Sequence, residues 1–280
     1  MGSAATLRFT MSLPDLKGRT ALVTGASSGL GVSFARALAA AGADLVITAR
    51  RAKQLDSLAS ELREKHGIRV ETIVLDLSEP GSPERLFVKT EGEGRAIDVL
   101  VNNAGGGIHQ NFVDIPWEQT ARQIQLNVVS LTELTHRFVQ AMLERGRGHV
   151  LNVASVGAYT PTPTYATYSA GKAFVRDFTE AIAYELRGTP VRVCCLCPGV
   201  TTTEFHLAAG HELAPAIKAT TMPADRCASI GLTALFAGRR NIVSGLANKL
   251  TMQLLRLMPR RWMISLTAVT MGKPRPALTP

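Results

Sequence analysis

Tyr168 and Lys172 stand four residues apart in the run Tyr168-Ser169-Ala170-Gly171-Lys172, a spacing that puts both on one face of a helix. A phenol with a pKa near 10 hands over a proton at neutral pH only if its anion is stabilised. Lowering that pKa by about 3 units takes about 4 kcal/mol, and a cation about 4 Å away in an effective dielectric of about 20 supplies roughly that amount. The pair can therefore work as one acid/base unit. Taken alone, the spacing fits equally a solvated tyrosine beside a lysine that lays its stem along the surface.

The surrounding elements bear on that choice. Thr24-Gly25-Ala26-Ser27-Ser28-Gly29-Leu30-Gly31 follows an apolar run at residues 20–23 and opens a helical pattern through Phe34, Ala35, Leu38 and Ala39. Strand, glycine-rich turn and helix form the context of a dinucleotide site. The glycines let backbone approach a pyrophosphate, and the helix start offers it unpaired N–H groups.

Further apolar runs at residues 45–48, 70–75, 98–101, 150–154 and 191–197 read as buried strands. Helices are expected at 31–41, 52–66, 83–90, 117–145, 165–187 and 223–236, with Gly42, Gly67, Gly146 and Gly188 at their stops. Parallel strands need crossovers, and each gap can hold one. The expected fold is a single α/β domain of Rossmann type, a doubly wound parallel sheet flanked by helices, with ligands beyond the carboxyl ends of the strands.

Other short motifs recur at the strand ends: Asp76-Leu77, Asn102-Asn103-Ala104-Gly105, Asn127 in the long helix, Ser155 thirteen residues before Tyr168, and Pro198-Gly199 with Thr203 following. With the glycine loop and the Tyr-Lys pair, in this order, the chain resembles the short-chain dehydrogenase/reductase family over roughly residues 16–205. The resemblance implies an oxidoreductase that moves hydride between a nicotinamide cofactor and a carbonyl or alcohol, and it calls for no metal. Tyr168 is then the proton donor in reduction. Lys172 lowers its pKa and holds the nicotinamide ribose, Ser155 hydrogen-bonds the substrate oxygen, and Asn127 holds a water linking Lys172 to solvent. Gly25, Ser27, Ser28, Gly29, Leu30 and Gly31 cradle the pyrophosphate. Asp76 and Leu77 meet the adenine, Asn103, Ala104 and Gly105 line the adenosine ribose, and Pro198, Gly199, Thr201 and Thr203 approach the carboxamide and phosphates. Without the resemblance, Ser155 also fits a strand cap and Asn127 a backbone partner.

Cofactor choice turns on Ile47-Thr48-Ala49-Arg50-Arg51. An NAD enzyme normally has a carboxylate there for the ribose 2′-hydroxyl. Arg50 can instead fork onto a 2′-phosphate, with Arg51 beside it, so NADPH is expected in preference to NADH. The plainer reading makes the two arginines the solvated start of the next helix. Ser28 stands where some NADP-dependent relatives carry a further basic residue.

At 280 residues and 46% apolar content the chain can bury one large sheet core. Cys194, Cys195, Cys197 and Cys227 have no disulfide or zinc spacing and read as buried thiols of a reducing cytoplasm. Residues 1–13 are expected as a flexible extension, 14–245 as the catalytic domain and 246–280 as a basic amphipathic extension. After Asp225 there is no acidic residue, and nine Lys and Arg account for the whole net charge of +9. Interleaved with leucines, methionines and Trp262, these charges fit an interfacial helix on anionic lipid, hence a cytoplasmic protein in peripheral contact with a membrane. They fit equally a helix over the substrate pocket or at a homo-oligomer seam. The segment lacks a nucleic-acid reading motif and is too apolar for that partner.

The tail lacks the family's commoner Asp-Gly-Gly turn and resembles that of the 3-oxoacyl reductase and 17β-hydroxysteroid dehydrogenase branch, which implies an apolar carbonyl substrate. Phe205, Leu207, Leu213, Ala214 and Ile217 form a stripe that suits a lid as well as ordinary packing. His109, His206 and His211 are expected near the mouth. A ketoreductase of secondary metabolism and a non-catalytic binding protein stay open beside the leading reading.

Overall fold

The computed structural model describes residues 13–211, 221–255 and 257–271. Leu213, Ala214, Ile217, Arg256, Lys273, Arg275, the side chain of His206 and the first twelve residues lie outside that description. Leu13, expected at the end of a flexible extension, packs against the core.

Seven strands, β1 Thr20–Thr24, β2 Asp44–Ala49, β3 Val70–Val74, β4 Val99–Asn102, β5 Gly148–Val153, β6 Val191–Cys197 and β7 Asn241–Val243, form one parallel sheet. Their order is β3-β2-β1-β4-β5-β6-β7. The order reverses between β1 and β4, which opens a crevice at the carboxyl ends of those strands. Period-two alternation explains the layers. Ala21, Val23, Ile47, Val101, Cys194 and Leu196 point to one side, while Leu22, Val46, Leu100, Val150 and Val193 point to the other.

The first side is covered by α1 Gly29–Ala40, α2 Ala52–His66 and α8 Ala224–Phe236, through Phe34, Leu38, Leu55, Leu62 and Leu232. Against the second lie α3 Ser82–Val88 and α5 Leu131–Glu144, through Leu86, Leu134, Phe138 and Met142. α6 Ala166–Glu185 adds Val175 to a smaller cluster with Cys195 and Cys197. The adjacent thiols of β6 therefore face opposite sides of the sheet, as strand alternation requires.

The helix expected over residues 117–145 is not one regular helix. α4 Trp117–Ile124 and α5 are joined by a π-helical stretch, Gln125–Ser130. Such a stretch shifts the facing of the residues it contains. Here it holds Asn127 in the buried interior, where its amide bonds Gly106 in both directions, Nδ2 to O at 2.7 Å and N to Oδ1 at 3.0 Å.

Beyond β6, α7 Phe205–Ala208 begins the segment after Pro198-Gly199. The last elements among the described residues are α9 Leu246–Leu255 and α10 Arg260–Met271, which fold back so that Met252, Leu255 and Met263 pack on Val156, Tyr159 and Val243. No helix among the described residues is long and apolar enough to cross a membrane.

Candidate active site

The crevice at the sheet's carboxyl edge is a cleft of about 870 Å³. Its floor is a backbone staple. Thr24 Oγ donates to Val101 O at 3.3 Å and accepts from Asn103 N and Ala104 N at 3.0 and 2.9 Å, while Asn103 Nδ2 returns to Thr24 O at 3.0 Å. The turn after β4 is thereby tied to the glycine loop after β1. A side-chain carbon at Gly31 would stand 2.1 Å from Gly25 O, so only glycine lets α1 start this close to the loop. α1 has no acid in its first turn and Ser28 makes no side-chain cap bond, which leaves the helix N–H groups facing the cleft for an anion. Thr203 lies against Gly29, where an added carbon would meet its methyl at 3.0 Å. Gly199 N donates to Ser244 Oγ at 3.1 Å, and Thr201 bridges to Met222.

Arg50 and Arg51, adjacent in sequence, are employed differently. Arg51 donates to Ser27 Oγ at 3.2 Å and to Ser27 O at 3.0 Å, and it pairs with Glu204 at 3.2 Å. Arg50 is open to solvent, its guanidinium 3.9 Å from Asp76, too far for a direct hydrogen bond. Asp76 accepts from Ser78 N and Oγ at 2.9 and 2.6 Å and from Arg122 at 2.8 Å. Partial burial opposes its ionisation, yet the bonds from Ser78 and the charges of Arg50 and Arg122 hold its carboxyl below the ordinary aspartate value. Leu77 is buried beside it and its carbonyl accepts from Ser130 at 2.6 Å. Residues 45–55 around Arg50 hold no acid, and β3's end brings Asp76 to it.

Farther along the cleft, α6 presents Tyr168 and Lys172 on one face. The Lys172 ammonium is buried, donates to Val153 O at 2.7 Å and lies 5.9 Å from the centre of the Tyr168 ring. Ser155 starts a 3-10 turn in extended conformation; its Oγ accepts from Gly157 N at 3.1 Å and lies near enough to the Tyr168 hydroxyl to favour its ionised form. It therefore caps the strand end and faces the tyrosine as well. A side-chain carbon at Gly105 would stand 3.1 Å from Asn127 Oδ1 and 3.3 Å from Lys172 Nζ, so both groups border that glycine.

The electrostatics differ from the expectation on one point. Burial pushes the Tyr168 hydroxyl up to about 12, with the neighbouring Ser155 hydroxyl opposing it, and Lys172 does not bring it below its ordinary value in the chain alone. Burial also pushes the Lys172 ammonium down to about 8. Desolvation is the largest influence on both groups.

Several lining residues belong to no motif, and those of the tail bear out its expected place over the pocket. Arg122 comes from α4, Tyr165 sits one helical turn before Ser169, and Met252, Leu255, Thr267 and Met271 of the last two helices close the far wall. His109 and His211, expected at the mouth, stack at 4.1 Å; His211 Nδ1 is 3.1 Å from the Tyr165 hydroxyl and His109 Nε2 donates to Met271 O at 2.7 Å. Among the described residues no cluster of His, Cys, Asp or Glu has the arrangement of a metal site.

A parallel sheet of this order, with a glycine turn under its crevice and a Tyr, Lys and Ser at its end, defines a dinucleotide-dependent oxidoreductase fold. The chain belongs to the short-chain dehydrogenase/reductase family, whose model, described as short chain dehydrogenase, matches residues 19–214. It is 34% identical over 195 residues to a 7beta-hydroxysteroid dehydrogenase of Collinsella aerofaciens, covering 69% of this chain and 73% of that protein. It is 33% identical over 213 residues to a very-long-chain 3-oxoacyl-CoA reductase of Phaeosphaeria nodorum, covering 71% of this chain and 62% of that one. Among solved structures, one from a study of 7beta-hydroxysteroid dehydrogenase stereoselectivity superposes with a TM-score of 0.83 at 28% identity, over 92% of this chain and 99% of that one. A short-chain dehydrogenase from Sphingobium yanoikuyae in complex with NADPH gives 0.78 at 29% identity, over 94% and 98%. The protein is thus an oxidoreductase of a fold that binds NAD(P).

Proposed function

We propose that the protein is an NADPH-dependent reductase of medium-to-large apolar ketones, 3-oxoacyl or ketosteroid-like in character, forming secondary alcohols. One observation carries the reading: Tyr168, Ser155 and Lys172 share a single cleft with the glycine loop, and the walls beyond them are apolar, with Leu126, Val156, Phe205, Met252 and Leu255. The Gly31 cradle and the open start of α1 fit a pyrophosphate. Arg50, exposed and only loosely paired, fits a 2′-phosphate, whereas Arg51 is committed to Ser27 and Glu204.

In this reading the Tyr168 hydroxyl gives its proton to the carbonyl oxygen, and the Ser155 hydroxyl donates a hydrogen bond to the same atom as charge grows there. Lys172 stabilises the phenolate left behind and meets the nicotinamide ribose. Asn127 Oδ1, bordering Gly105 with the ammonium, marks the route by which a proton returns. The nicotinamide, when bound, supplies the hydride. The related 7beta-hydroxysteroid dehydrogenase and 3-oxoacyl-CoA reductase support a carbonyl on a large apolar skeleton. Four free, buried cysteines support a reducing cytoplasmic setting. A homo-oligomer is part of the proposal, on family likeness.

The test is a panel of aliphatic 3-ketoacyl thioesters, ketosteroids and small aromatic ketones scored by NADPH consumption, alongside fluorescence titration of both cofactors. Turnover of the larger apolar ketones and tighter binding of NADPH than NADH are expected. Tighter NADH binding would overturn the assignment to Arg50. Turnover confined to small polar carbonyls would overturn the substrate class.

A further inference from the structure

The inner faces of α9 and α10 are occupied, since Met252, Leu255 and Met263 are buried and Thr251, Leu266 and Thr270 wall the cleft. Their outer faces carry a second apolar set. Leu246, Leu250 and Leu254 recur at every fourth residue on the side of α9 away from Leu255, Leu257 follows just past the helix end, and Trp262 and Val269 stand seven apart on α10. Each of these six side chains is between 59% and 84% exposed. Ordinary surfaces scatter such residues singly; a contiguous stripe rimmed by charge marks an interaction site. Here the rim is basic. Lys249, Arg260 and Arg261 are exposed beside the stripe, and the Arg261 guanidinium lies 6.0 Å from the Trp262 ring centre.

Charge decides between occupants. A two-fold contact would set this face against its own copy, bringing Lys249, Arg260 and Arg261 towards their counterparts, and no carboxylate occurs after Asp225 to offset them. Anionic headgroups neutralise all three, the leucines reach the acyl boundary beneath, and tryptophan suits the depth between.

We propose that α9 and α10 dock the protein peripherally on an anionic lipid surface through the outer leucine stripe and its basic rim. Because the inner faces of the same helices wall the cleft, an apolar ketone held in lipid lies one helix diameter, about 10 Å, from it. That consequence rests on the proposed function; the attachment does not.

The experiment is flotation of the full chain with vesicles of phosphatidylserine and phosphatidylcholine in equal parts, and with phosphatidylcholine alone. At least tenfold more protein should float with the mixed vesicles. The double variant Leu250→Glu/Leu254→Glu, whose helical content and mass in solution are measured in parallel, should stay in the soluble fraction with its fold intact. In a Trp117→Phe background the Trp262 emission should shift to the blue on the mixed vesicles only. A wild type that fails to float, or a double variant that floats equally, would overturn the docking. So would a wild type that stays soluble while the double variant alone halves its mass, which would assign the stripe to a contact between copies. No turnover is read, so these failures leave the reductase reading standing.

Discussion

At the scale of single residues, the Tyr168 and Lys172 pair was legible in the sequence because helical spacing fixes which side chains share a face. The net direction in which each group is shifted was not legible, because burial of both side chains sets it. Lys172 carries a testable consequence. With its ammonium pushed down to about 8, the unfolded chain holds a proton that the folded chain has lost between about pH 8 and the ordinary lysine value of about 10.4. Stability contributed by this group therefore rises across that window, by roughly 3 kcal/mol at most, and below about pH 8 the cost of the buried charge is fully present. Buried thiols act in the opposite sense in the same range, Cys194 pushed up to about 12 and Cys227 to about 11. The readout is accordingly the difference between wild type and Lys172→Met. Denaturant unfolding at pH 7.0 and about pH 9.5 should show the wild type gaining about 1–2 kcal/mol relative to the variant as pH rises. A constant difference between the two proteins would contradict the buried, depressed ammonium. Arg51 shows the opposite limit of legibility: its partner Glu204 comes from the loop after β6, and no local pattern announces such a pair.

At the scale of elements, the strands were readable because a parallel sheet buried on both faces writes continuous apolar runs into the chain. The π stretch at Gln125–Ser130 was not, since one widened turn leaves the apolar pattern of the flanking helices almost unchanged. The two tail helices were readable as apolar and basic. Which apolar set turned inward was not, because Met252 and Leu255 differ little in type from Leu250 and Leu254. The staple between β1 and β4 carries the element-level prediction. Thr24 is buried and its hydroxyl joins three backbone groups, so Thr24→Val leaves two N–H groups without that acceptor and costs about 1–3 kcal/mol. Dinucleotide affinity should fall with it, because the glycine loop loses its tie to the turn after β4. Loss of stability at unchanged NADPH affinity would mean that the staple serves the core alone.

For the whole molecule, the sheet order and the reversal between β1 and β4 set the cleft's position, and the loops at the strands' carboxyl ends meet α4, α6 and the two tail helices there. The chain's polarity divides in the same way: balanced charge through the sheet, excess positive charge after Asp225. A ligand that spans the glycine loop, Arg50 and α6 should stabilise the entire cooperative unit. At about one hundred times its Kd, NADPH should add about 2.7 kcal/mol, a rise in Tm of several degrees for a chain of this size. NADH at the same concentration should add less, and an equal shift with both cofactors would remove Arg50 from the binding account.

The proposed reduction requires the Tyr168 hydroxyl to deliver the proton to the carbonyl. Single-turnover oxidation of bound NADPH by an accepted ketone, compared between wild type and Tyr168→Phe, tests it most directly. The variant should bind NADPH with little change and reduce the ketone at least ~10²-fold more slowly. Reduction at the wild-type rate by Tyr168→Phe would show that the proton comes from another group.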